Sequence, residues 1–297
     1  MDKREFTTIE AAYETFLLDM RAQRFTQSTI DFYRYRLTAF ITWCHDHSAS
    51  TLSDITPTLL RSYLVHLQDR ELADYSQHAA ARALRAFLNF CVREELLPLS
   101  PMRKVNMPKV DKRILPALSV ADARQIVKAC KSDRDKAIVL FLLDTGVRAA
   151  EFVRLNVGDV DTDSGEVRIK QGKGRKDRPV YLGAKALRQL TRYLSKRKHY
   201  KSPDPLWISI HQRERLTKSG LNQLLRRIGK RAEVAECKPH TFRRTFALWS
   251  LRAGMNIYVL QRLMGHKDIT VLRQYLALVD EDARQAHESY GPVDNNL

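Results

Sequence analysis

The chain has 297 residues, is 44% hydrophobic and carries a formal charge of +17. That length suggests about two domains, and the composition suits packed cores. No apolar run approaches the ~18 residues of a membrane span, and the charged start, MDKREFTTIE, argues against a secretory signal peptide. Cys44, Cys91, Cys130 and Cys237 lie far apart and form no CxxC, so they read as free thiols in a reducing compartment, with no zinc site. No phosphate-cradling P-loop or dinucleotide fingerprint is present, and no cofactor is implied.

Charge is unevenly spread. Residues 1–100 hold 11 Lys and Arg against 13 Asp and Glu, residues 101–250 hold 35 against 15, and residues 251–297 hold 5 against 6. The middle half of the chain thus carries a net +20, which favours a polyanionic partner through counterion release from phosphates.

The first hundred residues read as four helices, from TTIEAAYETFLLDMRAQ, TQSTIDFYRYRLTAFITWCHDH, TPTLLRSYLVHLQDR and SQHAAARALRAFLNFCVREE, each with apolar residues at helical spacing. Thr26 and Thr56 stand where N-caps belong, and Pro57 suits the first helical position. Four such helices make a compact bundle. Residues 97–119, LPLSPMRKVNMPKVDKRILPALS, hold four prolines and five basic side chains, and that punctuation marks a linker. The boundary falls near residue 112: a helical domain over 1–108, a basic linker over 109–118 and a second domain over 119–297.

In the second domain, Ser119 and Asp122 have capping-box spacing ahead of a helix. DKAIVLFLLDTG is an apolar helix with Gly146 as its C-cap. EVRIK and DRPVYL flank QGKGRK and read as a hairpin, and WISI offers a further short strand. From Lys218 on, the pattern is helical again, ending in two short helices that reach Leu278. The fold class is mainly α with a small β-hairpin.

Four clusters carry possible chemistry. In TGVRAAE, Arg148 follows the helix-ending glycine and Glu151 is placed to hold its guanidinium or cap the next helix; by itself the pair is more commonly a plain surface ion pair. Gly172 and Gly174 let the backbone turn tightly around Lys173, Arg175 and Lys176, a basic tip or simply a solvated one. In HTFRRTFA, His240 and Arg243 sit three apart, on one helical face, beside Arg244. Two such groups would repel if both were charged, unless both face one anion. In LMGHKDITVLRQYLAL, His266 follows Gly265, and Tyr275, by itself a candidate core aromatic, comes nine residues later.

In that order and spacing, Arg148, Lys173, His240-x-x-Arg243, Gly265-His266 and Tyr275 resemble the tyrosine recombinases of the phage-integrase family, close in layout to the Xer type. The resemblance covers nearly the whole chain. It implies a SAM-like, helical core-binding domain, then an α+β catalytic domain with a C-terminal interaction tail. By position, Arg148 and Arg243 match the arginines that grip the scissile phosphate, Lys173 the hairpin lysine, His240 and His266 the two histidines, and Tyr275 the nucleophile. Glu151 matches a supporting acidic residue. Arg244 stands where many relatives have histidine, and Val147 and Met264 replace more usual leucines. Arg34, Arg36, Arg82, Arg85, Lys109, Lys112, Arg175, Lys176 and Arg244 are candidate DNA contacts, although the first hundred residues are net acidic.

The residue types suit that chemistry. Paired guanidinium forks match a phosphodiester whose negative charge grows during attack. A tyrosine of pKa about 10 needs a base or a positive site, for which the family implies His240, and the leaving 5′ oxygen needs an acid, for which Lys173 is the candidate. The resemblance implies a 3′-phosphotyrosyl intermediate, a Holliday junction, and four protomers on two double-stranded core sites, a dimer per site. It implies no metal, no cofactor and no membrane, a cytoplasmic, nucleoid-associated setting, and room for accessory proteins. With its first helix near the start, the chain is not expected to carry an arm-binding domain, which leans toward a Xer-like or mobile-element enzyme. A type IB topoisomerase-like enzyme and a DNA-binding regulator derived from a recombinase stay as alternatives.

Overall fold

The structure is a computed structural model that describes residues 7–110, 117–170, 177–197, 200–209 and 214–265. The chain divides into two compact units, Met1–Arg113 and Ile114–Leu297.

The first unit packs four helices: α1 (Ile9–Ala22), α2 (Gln27–Asp46), α3 (Pro57–Asp69) and α4 (Asp74–Arg93). Threonine hydroxyls cap three of them, Thr8 accepting from the Ala11 N–H at 3.2 Å, Thr26 from Thr29 at 3.3 Å and Thr56 from Leu59 at 3.1 Å. Each cap contributes about 1 kcal/mol by satisfying an amide left over at a helix start. The faces turned inward follow the 3.6 period; on α1 they are Ile9, Ala12, Tyr13, Phe16, Leu17 and Met20. Phe16 is the hub, meeting the rings of Tyr33, Phe87 and Phe90 edge-on at 5.4, 5.7 and 5.2 Å. Such edge-to-face geometry sets positive ring edges against negative ring faces. Ala80, Ala81 and Ala83 keep α4 slim where it enters this core. The chain after α4 still belongs here, because Met102 and Val105 are buried in the same core.

The second unit opens with α5 (Val120–Lys128), started by the Ser119–Asp122 box: the Ser119 hydroxyl accepts from the Asp122 amide at 3.0 Å, and the Asp122 carboxylate accepts from the Ser119 amide at 3.2 Å. Then come α6 (Asp133–Thr145), the single turn α7 (Ala149–Phe152), strands β1 (Glu166–Ile169) and β2 (Arg178–Tyr181), and α8 (Ala184–Ser195). The unit continues with α9 (Lys218–Arg231), α10 (Pro239–Arg252) and α11 (Ile257–Met264). The strands are antiparallel, with Val167 opposite Val180 and Ile169 opposite Arg178. Trp207 is fully buried and lies between the Phe152 and Tyr193 rings, stacked at 4.7 and 5.6 Å.

The WISI segment forms no strand among the described residues: Ile208 makes one isolated bridge, to Arg215. Around that bridge the Ser209 amide donates to Glu214 O at 2.7 Å and the Leu216 amide to Trp207 O at 2.9 Å, while the Leu206 amide donates to Leu155 O at 2.9 Å. All four cysteines are free, and burial pushes each thiol up to about 12.

Candidate active site

The site begins where α6 stops. Gly146 ends the helix in the left-handed region, with φ of +56°, and a Cβ there would fall 2.3 Å from the Phe246 ring. Only glycine suits both the turn and the approach of α10. The chain reverses and delivers Arg148 at the start of α7. Both readings of Glu151 hold: one carboxylate oxygen accepts from the Arg148 amide at 2.9 Å, and the other from its guanidinium at 3.0 Å.

A second arginine shares that carboxylate. Arg178, on β2, is 6% exposed and donates to both Glu151 oxygens at 3.1 and 2.8 Å. Burial works against the Glu151 charge. The Arg178 hydrogen bonds, the Arg148 amide and the two positive charges outweigh it, holding the carboxyl down at about 2.

Three guanidinium groups then meet the end of α11. Arg178 Nε donates to Leu263 O at 2.7 Å, Arg243 to Met264 O at 2.7 Å, and Arg148 to Gly265 O at 2.9 Å. Arg243 also donates to Gly146 O at 2.6 Å, so it joins the ends of α6 and α11. Helix ends leave carbonyls without intrahelical partners and carry partial negative charge, so three cations there are well matched. Gly265 closes α11 in the left-handed region, and His266 follows it in sequence.

His240 sits in the first turn of α10, exposed, on a cleft of about 1080 Å³ that Arg148 also lines. Lys218, Arg226, Lys230 and Lys238 line it too. Partial burial, then the charges of Arg243, Arg244 and Arg148, hold the His240 imidazole below its usual range. That favours the neutral imidazole, able to accept a proton within a cationic wall. Arg244 donates to the Thr241 hydroxyl at 3.1 Å.

Of the residues singled out in the sequence, Arg148, Glu151, His240, Arg243 and Arg244 thus gather around the ends of α6 and α11 and the start of α10. Lys173, Arg175, Lys176, His266, Tyr275 and Lys112 lie outside the described residues. In the first unit, Arg34 pairs with Asp31 at 3.4 Å and the Arg36 guanidinium lies 5.4 Å from the Tyr35 ring. Arg82 and Arg85 are exposed three apart on α4, and Lys109 is exposed after it.

Sequence reading missed Arg178 and the basic face of α9. Each left a signal. Arg178 is in phase with inward-facing Val180 and Leu182, an odd place for a charge. Lys218, Asn222, Arg226 and Lys230 recur every four residues, opposite buried Leu221, Leu224, Leu225 and Ile228.

Residues 116–282 match the phage integrase family and residues 13–95 match the phage integrase N-terminal SAM-like domain. The chain belongs to the phage integrase family and, with its relatives, to the tyrosine recombinases, which are site-specific recombinases. It is 29% identical to the tyrosine recombinase XerD of Oceanobacillus iheyensis over 96% of this chain and 99% of that one. It is 30% identical to the tyrosine recombinase XerC of Pelotomaculum thermopropionicum, over 83% and 84% of the two chains. In fold it is similar to the Tn1549 transposon integrase, solved in complex with a circular intermediate DNA, with a TM-score of 0.76 and 16% identity over 91% of this chain and 94% of that one. No helix among the described residues is long and apolar enough to cross a membrane.

Proposed function

We propose that the protein is a Xer-like or mobile-element recombinase that cuts and rejoins DNA through a 3′-phosphotyrosyl intermediate and a Holliday junction. The reading rests above all on one observation: Arg148 and the distant His240–Arg243 pair are brought together, Arg148 and His240 lining a cationic cleft and Arg148 and Arg243 meeting the end of the helix that leads into His266. A scissile phosphodiester in that cleft receives the forks of Arg148 and Arg243, and hydrogen bonds from His240 and His266 add to a preorganised positive site.

The Tyr275 oxygen attacks phosphorus while its proton passes to neutral His240. The bond to the 5′ oxygen breaks, and that oxygen takes a proton from Lys173. A 5′ hydroxyl from a partner strand reverses the step. One phosphoester replaces another, so the scheme draws on no nucleotide hydrolysis. The substrate is double-stranded core-site DNA, held by a dimer per site and a tetramer per synapse, with the basic groups of both domains and the linker along its backbone. The tail after Tyr275 docks on a neighbouring protomer, and accessory proteins set direction. The setting is the bacterial cytoplasm, on nucleoid DNA.

The test is covalent trapping in the native host, with Tyr275→Phe beside the wild type. Rapid denaturation, recovery of protein-linked DNA and sequencing of the linked ends should give adducts at one or a few discrete sites, absent in the variant. Adducts without sequence preference would replace this reading with strand relaxation, and an absence of adducts would remove the catalytic assignment.

A further inference from the structure

Of the three arginines at the end of α11, Arg148 lines the cleft and Arg178 does not. It is 6% exposed, and each of its three nitrogens has a partner within the protein: Leu263 O and the two oxygens of Glu151. Its two contacts nevertheless touch both things the cleft depends on.

The first is the charge on Arg148. Glu151 takes four hydrogen bonds, two from Arg148 and two from Arg178. With Arg178 as its buried counterion, the carboxylate orients the Arg148 guanidinium without cancelling its charge. Remove Arg178, and Glu151 has Arg148 as its only remaining arginine; the pair then becomes neutral and the guanidinium is drawn away from an incoming phosphate. The second is the end of α11. The bond to Leu263 O fixes the last turn before Gly265, whose Cα side faces the Arg178 guanidinium; a Cβ on Gly265 would lie 3.0 Å from Arg178 Cζ.

We propose that Arg178 is a positioning residue for strand cleavage: it keeps Arg148 charged toward substrate through Glu151, and it pins the end of α11 ahead of His266, with no contact to DNA. The proposal rests on the reading of the cleft as the cleavage site.

The experiment uses the full chain and a nicked core-site duplex that traps the Tyr275 adduct. Single-turnover cleavage is followed at saturating protein, and duplex affinity is measured across salt concentrations. Arg178→Met and Arg178→Lys are each expected to slow the cleavage rate constant by about 100-fold, the scale of a 1 Å misplacement. Affinity should stay within about twofold with an unchanged salt slope, because a group that meets no phosphate releases no counterion. Glu151→Gln added to Arg178→Met should recover part of the lost rate, since no unbalanced carboxylate remains to hold Arg148. Arg178→Lys keeps the charge and serves if the Met variant does not fold.

A lower amplitude of cleavage with the wild-type rate constant would make Arg178 structural only. A changed salt slope would make it a DNA contact, and a double variant no faster than Arg178→Met would remove the route through Glu151. A wild-type chain that forms no Tyr275-dependent adduct overturns the cleavage reading and this inference together, whereas a wild-type adduct with unaffected Arg178 variants overturns the inference alone.

Discussion

Gly265 lies against the guanidinium of Arg178, so close that a Cβ would fall 3.0 Å from Cζ, and its φ of +63° lies in the left-handed region. Two separate constraints therefore select glycine ahead of His266. The left-handed backbone disfavours any side chain, and the guanidinium cannot step aside while it holds Glu151 and Leu263 O. Gly265→Ala should cost about 1–3 kcal/mol of unfolding free energy, the usual range for a residue forced into that region. It should also slow cleavage by more than the loss of folded protein accounts for. Chemical denaturation and single-turnover cleavage on the same preparation check this; an alanine variant with wild-type stability and rate would show that the contact is slack.

His240 is depressed by partial burial and then by Arg243, Arg244 and Arg148. Removing one of those charges without touching the ring should move the titration upward. Arg244→Gln is the suitable change, since it removes the charge and keeps a donor for the Thr241 hydroxyl. In the free protein, NMR titration of the His240 ring should give a midpoint below the ordinary 6.5 for the wild type and a higher one for Arg244→Gln. A midpoint that does not move, or that falls, would mean that the arginine charges are screened from the ring and that burial alone sets it.

Glu151 has the opposite linkage. Its carboxyl is held at about 2 against an ordinary 4.5, because Arg178, the Arg148 amide and both charges outweigh burial. A group whose pKa is lowered by folding contributes stability that is complete above its unfolded value and disappears as pH falls through its folded one. The contribution should therefore be intact above pH 4.5 and be lost between there and pH 2, by roughly 3 kcal/mol for a 2.5-unit difference. Urea unfolding across that range should show a steeper acid loss for the wild type than for Glu151→Gln. Parallel curves would mean that the pair is as well solvated as a surface one.

The helices, their caps and the first arginine were legible because their signals are local. Thr26 and Thr56 cap within three residues, Ser119 pairs with Asp122, and Gly146 sits one residue past its helix. Arg148 and Glu151 are also three apart, and the structure joins them as the spacing suggested. What was not legible is the meeting of Arg148, Arg178 and Arg243 on three successive carbonyls. Backbone oxygens carry no residue identity, and Arg178 lies 85 positions from Leu263 and 27 from Glu151. Only its phase with Val180 marked it. Among the described residues WISI makes an isolated bridge rather than a strand for a similar reason: its β-type residues report burial, and Trp207 is stacked between rings on α7 and α8.

The outer face of α9 is the remaining expectation. Lys218, Arg226 and Lys230 lie on one face, exposed, along the same cleft as Arg148 and His240. None has a part in the bond-breaking scheme, so their contribution to a DNA substrate is electrostatic attachment. Replacing each by Gln should weaken binding to core-site duplex and reduce the salt slope of affinity by about 1 per residue, because one fewer counterion is released. The cleavage rate constant at saturating DNA should stay near wild type, in contrast to Arg148 or Arg178 variants. Fluorescence anisotropy at several salt concentrations reads the first effect and single-turnover trapping the second. A wild-type slope in all three variants would place the duplex elsewhere on this unit, and a loss of rate with an unchanged slope would move these side chains from attachment to chemistry.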